Sequence, residues 1–276
     1  MKEDLMEVVA ILDMSGSMSS LAHDTIGGFN AYLSQLREQA KDIKITLIVF
    51  NTQSSVVWNH QNVKSSQNLG TNIYRPDGGT ALYDALGTAI NNMKSHIQEL
   101  SEAHKPGKVS FFVTTDGEEN SSSSYNISQV KQLITNATED DKWEFMFAGA
   151  NIDAHAAGQQ LGFQAQNIAN ICNDGVGQSA VYAAMAAKQV CCDMEECCLQ
   201  DIYDEKEEYC RQIGGNKDYN VQIDTQQVTK NIWQSVGAKL IMMIKQISVK
   251  LKSARCELDI QIFCQFHFFF VVNMNI

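Results

Sequence analysis

The sequence predicts an α/β fold, an open and mostly parallel sheet covered by helices on both faces. Three observations carry that prediction. Residues 7–13 are a nearly continuous apolar run, as expected of a central parallel strand buried on both sides. Downstream, Leu82, Leu86, Ile90, Met93 and Ile97 recur at intervals of three and four, the stripe of an amphipathic helix. Between residue 7 and about residue 187, strand-like and helix-like segments alternate, and such alternation gives parallel strands joined by right-handed crossovers.

The elements follow in order. After the strand at 7–13, Phe29, Leu33 and Leu36 mark a helix over 26–40. Residues 43–50 read as a second buried strand. The turn Asn51-Thr52-Gln53-Ser54 then leads to a short antiparallel strand at 55–58. The amphipathic helix covers 81–100, and the breaker Lys105-Pro106-Gly107 introduces a strand at 109–115. Ser121 to Ser124 read as a flexible loop, with Ser128 capping a helix that carries Val130, Leu133 and Ile134. A strand at 143–150, a short helix at 154–161, a strand at 166–171 and a helix from 180 complete the region.

Length and composition narrow the function. A chain of 276 residues, 44% hydrophobic and 19% charged, can bury a full core. Its formal net charge of −11 disfavours nucleic acid as a partner and favours divalent cations. No apolar run approaches the ~20 residues that span a bilayer, and no leader pattern precedes the first strand. The first of the eight cysteines is Cys172, which reads as free thiols in a reducing compartment rather than a disulfide framework. The expectation is a cytoplasmic protein.

Five residues on three loops look able to hold one divalent metal. Asp13, Ser15 and Ser17 alternate at the end of the first strand. Thr80 follows Asp77-Gly78-Gly79, and Asp116 stands in Thr114-Thr115-Asp116-Gly117 after a later strand. Alternate residues of an extended segment point the same way, so the first three can converge on one ion. Gly16 lets the backbone turn close to it. In open α/β sheets ligands gather at the carboxyl ends of the strands, where Asp13 and Asp116 fall. In this order and context the five residues resemble the metal-ion-dependent adhesion site (MIDAS) of von Willebrand factor type A domains, a Rossmann-like fold.

The resemblance covers roughly residues 5–187. It implies that Ser15 and Ser17 bind the metal directly, and that Asp13, Thr80 and Asp116 do so directly or through water. Six oxygen donors suit Mg²⁺, with Mn²⁺ or Ca²⁺ as alternatives. A site with only two carboxylates leaves the ion underneutralised, so an Asp or Glu of a protein partner would complete it. The implied function is an intracellular adaptor in a multiprotein assembly, binding rather than turning over. Asp77 and Asp84, which flank Thr80, are expected to orient the site. Glu118 and Glu119 are expected in a solvated loop.

Competing readings are weaker. An aspartyl phosphotransferase would need a second carboxylate two residues after Asp13, where Ser15 stands. A metal-dependent hydrolase using the same ion lacks a well-placed base. The six histidines show no metal-ligand spacing, so packing or surface roles are expected. Residues 188–276 form a C-terminal α+β extension of unknown role. Val190, Met194, Cys198, Ile202 and Tyr209 make a possible helical stripe, ended by Gly214-Gly215. The pairs Cys191-Cys192 and Cys197-Cys198 fit ordinary thiols better than a zinc knuckle. A lysine-bearing helix over 225–252 and a strictly alternating strand over 258–272 follow, and the strand would be an exposed edge unless paired. Assembly through this tail, with the metal site as relic or stabiliser, is the structural alternative.

Overall fold

The first strand lies in the middle of the sheet because Val8 to Leu12 are all apolar and both of its faces are covered. In the computed structural model, which describes residues 2–39, 41–191 and 198–214, β1 (Lys2–Asp13) pairs in parallel with β2 (Asp42–Phe50) and with β4 (Pro106–Thr115). The order across the sheet is β3-β2-β1-β4-β5-β6. Only β3 (Ser54–Asn62) runs antiparallel; β5 (Glu144–Gly149) and β6 (Ile168–Asn170) continue the parallel half.

Alternation along β1 divides the core in two. Met6, Val8, Ala10 and Leu12 face α1 (Ala22–Arg37), α5 (Gly175–Cys191) and α6 (Leu199–Gly214). Val9 and Ile11 face α2 (Leu82–Glu99), α3 (Ile127–Glu139) and α4 (Ala154–Gln160). Each fully buried Phe, Leu or Ile contributes about 1.5–3 kcal/mol relative to exposure, so the sheet is anchored from both sides. The chain builds outward from β1 through β2 and β3, then crosses back to β4. The direction of winding therefore reverses between the carboxyl ends of β1 and β4.

The expected α/β architecture is present, with local differences. The antiparallel strand runs nine residues and carries a bulge, where a short one was expected. The first helix starts at Ala22, because a 3-10 turn over Gly16–Leu21 leads into it. The cap of α3 is Asn126 rather than Ser128. Its side chain accepts from the Gln129 amide while Gln129 accepts from the Asn126 amide, a reciprocal capping box. In α6 the fully buried positions are Leu199 and Tyr203, and both join the core beneath α1 and α5. The described fold thus continues to Gly214. Cys192 and Cys197, Met194, the helix at 225–252 and the strand at 258–272 lie outside the described residues, as does any self-association through them. Among the described residues, no helix is long and apolar enough to cross a membrane.

Candidate functional site

The reversal of winding places the ends of β1 and β4 side by side, with Leu12 opposite Thr114. Asp13 is fully buried there and both of its carboxylate oxygens are engaged. Oδ1 accepts from the Ser15 amide at 2.7 Å and Oδ2 from the Thr115 hydroxyl at 2.6 Å. The Tyr74 hydroxyl donates to the Asp13 carbonyl, which fixes the backbone where the strand becomes a loop.

The hydroxyls expected to converge do so. Ser15 Oγ lies 3.0 Å from Ser17 Oγ, and Ser17 Oγ donates to Asp116 Oδ1 at 2.5 Å. Ser15, Thr80 and Asp116 are buried, while Ser17 opens to solvent. Thr80 faces the same space. A β-carbon added at Gly117 would stand 3.5 Å from Thr80 Oγ1 and 3.6 Å from Ser17 Oγ. The structure therefore brings all five predicted residues to one end of the sheet, around a small oxygen-lined cradle.

Two loops hold Thr80 in place. Its amide donates to Asn120 Oδ1 at 2.8 Å, and its carbonyl accepts from the Asn120 amide at 3.0 Å. The Gly16 amide donates to the Gly78 carbonyl and the Asp77 amide to the Met14 carbonyl, both at 3.0 Å. The glycine that the conformation demands is Gly78 rather than Gly16. Gly78 has φ +74°, and a β-carbon on it would stand 2.6 Å from Thr52 Oγ1.

The expectations for the flanking acids divide. Asp84 holds the loop that follows the site: it accepts from the amides of Ser123, Ser124 and Tyr125 at 2.8–2.9 Å. Glu119 is no solvated bystander. Its carboxylate accepts from the Ser121 and Ser122 amides, the Ser122 hydroxyl and the Tyr83 amide, at 2.7–2.9 Å. The serine run is thus tied down rather than a free rim. The same contacts satisfy the first turn of α2, which has no side-chain cap of its own. Glu118 is exposed. Asn120, Glu119 and Tyr74 are the supporting residues that sequence reasoning missed. Their roles depend on long-range contacts, and only the polar density of 118–124 hinted at them.

The electrostatics of the cradle suit a cation. Burial pushes the carboxyls of Asp13 and Asp116 above the ordinary range, against the opposing hydrogen bonds of Thr115 and Ser15 at one and Ser17 at the other. No basic side chain offsets either charge among the described residues. Asp116 Oδ2 is buried without a hydrogen-bond partner among the described residues. A buried, unpaired carboxylate oxygen is costly, and a metal ion would relieve that cost. The donors are all hard oxygens, which fits Mg²⁺ or Ca²⁺ better than a soft metal.

Beside the cradle, a cleft of about 360 Å³ runs between the loop after β4 and α4, lined among others by Tyr83, Glu118, Glu119, Ile127 and Ile152.

Comparison with known proteins agrees with this geometry. Residues 7–182 match the model of the von Willebrand factor type A domain. The von Willebrand factor type A from Catenulispora acidiphila is similar at 15% identity and TM-score 0.46, over 68% of this chain and 42% of that one. Mussel byssus proximal thread matrix protein 1, with a zinc-occupied MIDAS motif, is similar at 10% identity and TM-score 0.50, over 69% and 49%. The ArnB paralog VWA2 from Sulfolobus acidocaldarius is similar at 12% identity and TM-score 0.43, over 66% and 44%. The chain spans less than half the length of each of these solved proteins. No curated protein matches the sequence.

Proposed function

The chain belongs to the von Willebrand factor type A family, and from that premise we propose that it is a metal-dependent protein-binding module. Asp13, Ser15, Ser17, Thr80 and Asp116 would hold one divalent cation, with Mg²⁺ favoured by the hard oxygen donors. The observation that carries this reading is the cradle itself. Five oxygen-bearing side chains from three loops meet at one end of the sheet, and one of their buried carboxylate oxygens has no hydrogen-bond partner among the described residues. When bound, the ion would supply a positive charge with a position left for an external carboxylate.

The remaining residues support binding over turnover. A hydrolase would need a free base beside the ion, but both oxygens of Glu119 are taken by amides and a hydroxyl, and both oxygens of Asp13 by Ser15 and Thr115. The partner's acidic residue would reach the cradle from the open Ser17 side. Neighbouring partner side chains would enter the cleft along α4, whose apolar floor and Glu118–Glu119 rim suit an apolar or basic residue. An intracellular adaptor role belongs to the same proposal. Its support is that Cys172, Cys198 and Cys210 are free thiols.

The test is calorimetric titration of Mg²⁺, Mn²⁺ and Ca²⁺ into the full-length chain, followed by capture of partners from lysate in Mg²⁺ or in EDTA. The expected result is one equivalent of metal and capture that EDTA abolishes, both absent in Asp13→Ala. Capture that persists unchanged in EDTA and in the variant would overturn the proposal.

A further inference from the structure

Six residues before Asp13, midway along β1 and toward the amino end of the sheet, a second group of metal-binding side chains meets. Glu7 is fully buried there, with Lys44 of β2 as its neighbour across the sheet. Glu7 Oε2 lies 3.1 Å from His60 Nδ1, and Oε1 lies 4.0 Å from His96 Nε2 and 3.7 Å from Lys44 Nζ. The His60 and His96 rings stack with centroids 3.5 Å apart. One donor atom from each of Glu7, His60 and His96 lies within 4.8 Å of the other two.

Two features show that this meeting is built into the fold. His60 sits in the bulge of β3, between the pairs Leu47–Trp58 and Ile45–Gln61, and has φ +48°. Its amide donates to the Thr46 hydroxyl at 3.1 Å. A bulge re-aims a side chain, and a left-handed backbone at a non-glycine residue persists only where its surroundings hold it. Here the bulge turns the imidazole onto Glu7. His96 comes from the last turn of α2. Glu7 Oε1 and His96 Nε2 are both buried, lie 4.0 Å apart, and make no hydrogen bond among the described residues.

We propose that Glu7, His60 and His96 form a second metal site, selective for Zn²⁺ or a similar transition metal, toward the amino end of the sheet and away from the oxygen-lined cradle. Two imidazoles and a carboxylate are a zinc donor set that leaves one coordination position for water or a ligand. Mg²⁺, which prefers oxygen alone, does not compete for it. Tetrahedral donors around zinc stand about 3.4 Å apart given ligand distances near 2.1 Å, so the set closes by roughly an ångström on loading. Each ring's lone pair must also point at the ion, so one imidazole turns out of the stack. The side chains of His60 and His96 are 16% and 24% exposed, which gives room for that turn and a path for the ion. Lys44, one third exposed, withdraws to solvent as the metal takes its place beside Glu7.

The experiment titrates Zn²⁺ into the full-length chain with its thiols reduced and the first site saturated with Mg²⁺. Binding is followed by calorimetry and by the imidazole ¹⁵N resonances of labelled histidine. The expected result is that Zn²⁺, and not Mg²⁺, shifts the ring signals of His60 and His96. One equivalent of zinc disappears in His96→Gln and in His60→Gln, and is kept in Asp13→Ala. Circular dichroism confirms that the variants are folded, and the two histidine variants check one another. Unmoved His60 and His96 signals, or equal zinc stoichiometry in the wild type and both histidine variants, would overturn the proposal. Loss of that equivalent in Asp13→Ala instead would place the zinc at the first site and overturn it equally.

Discussion

Two positions along β1 bury a carboxylate in opposite ways. At the carboxyl end, Asp13 and Asp116 are surrounded by hydroxyls and amides, and no positive side chain among the described residues offsets them. Midway along the strand, Glu7 is met by Lys44, His60 and His96 from three different elements. The six-residue step from Glu7 to Asp13 covers about 20 Å of extended chain. One strand therefore carries Glu7, whose charge the fold partly balances with Lys44 while Oε1 stays unbonded among the described residues, and Asp13, whose charge is left for a cation. Lys44 stabilises the unloaded Glu7 group, whereas at Asp13 and Asp116 stability and binding depend on a cation.

The strongest way to break that comparison is Asp13→Ala. Mg²⁺ at a hundred times its Kd should stabilise the wild type by about 2.7 kcal/mol. The variant should show no Mg²⁺-dependent shift in a thermal melt and no metal-dependent capture. If the variant still gained stability from Mg²⁺, the ion would be binding elsewhere.

Next in size is Gly78→Ala. Its backbone is left-handed, and the new methyl would stand 2.6 Å from the Thr52 hydroxyl, which accepts from the Gly79 amide. A strained residue of this kind costs of order 1–3 kcal/mol. Urea denaturation should show that loss in EDTA as well as in Mg²⁺, because the strain lies in the loop and not in the metal. A loss seen only with metal present would mean that the loop is ordered by the ion.

A paired substitution sharpens the contrast further. Glu7→Gln leaves Lys44 beside a neutral partner and should cost about 1–2 kcal/mol. Asp116→Asn keeps an acceptor for Ser17 but removes an unbalanced buried charge. In EDTA it should be neutral or stabilising by the same denaturation measurement. Equal losses in both variants would show that the two positions are balanced alike.

These sites differ in how far they can be read from sequence. Asp13, Ser15 and Ser17 lie within five residues, and Thr80 and Asp116 each end a short glycine- or threonine-marked loop, so the cradle is visible along the chain. The sheet is visible for a similar reason, since period and burial are local properties of each strand. The Glu7 group is not, because its members are separated by 53 and 36 residues and His60 reaches Glu7 only through a bulge. The one available signal was a glutamate opening a strand otherwise apolar on both faces. The cap of α3 was legible but misread: Asn126 stands three residues before Gln129, the capping-box spacing, and Ser128 drew attention instead.

The smallest effect is expected at Asp84, in the first turn of α2, which holds the loop behind the cradle. Burial alone would raise its pKa, but the amides of Ser123, Ser124 and Tyr125 outweigh it and hold the carboxyl below its usual value of 3.8. A carboxylate with a depressed folded pKa contributes stability that is present above its unfolded pKa. That contribution is lost as pH falls through the folded value. Asp84→Ala should therefore be slightly less stable than wild type at pH 7, and the gap should narrow as pH is taken below 3.8. Urea midpoints of both proteins at neutral and acidic pH measure this directly. A gap independent of pH would mean that Asp84 holds the loop by shape rather than by charge. The loop's three amides would then find water as readily as they find the carboxylate.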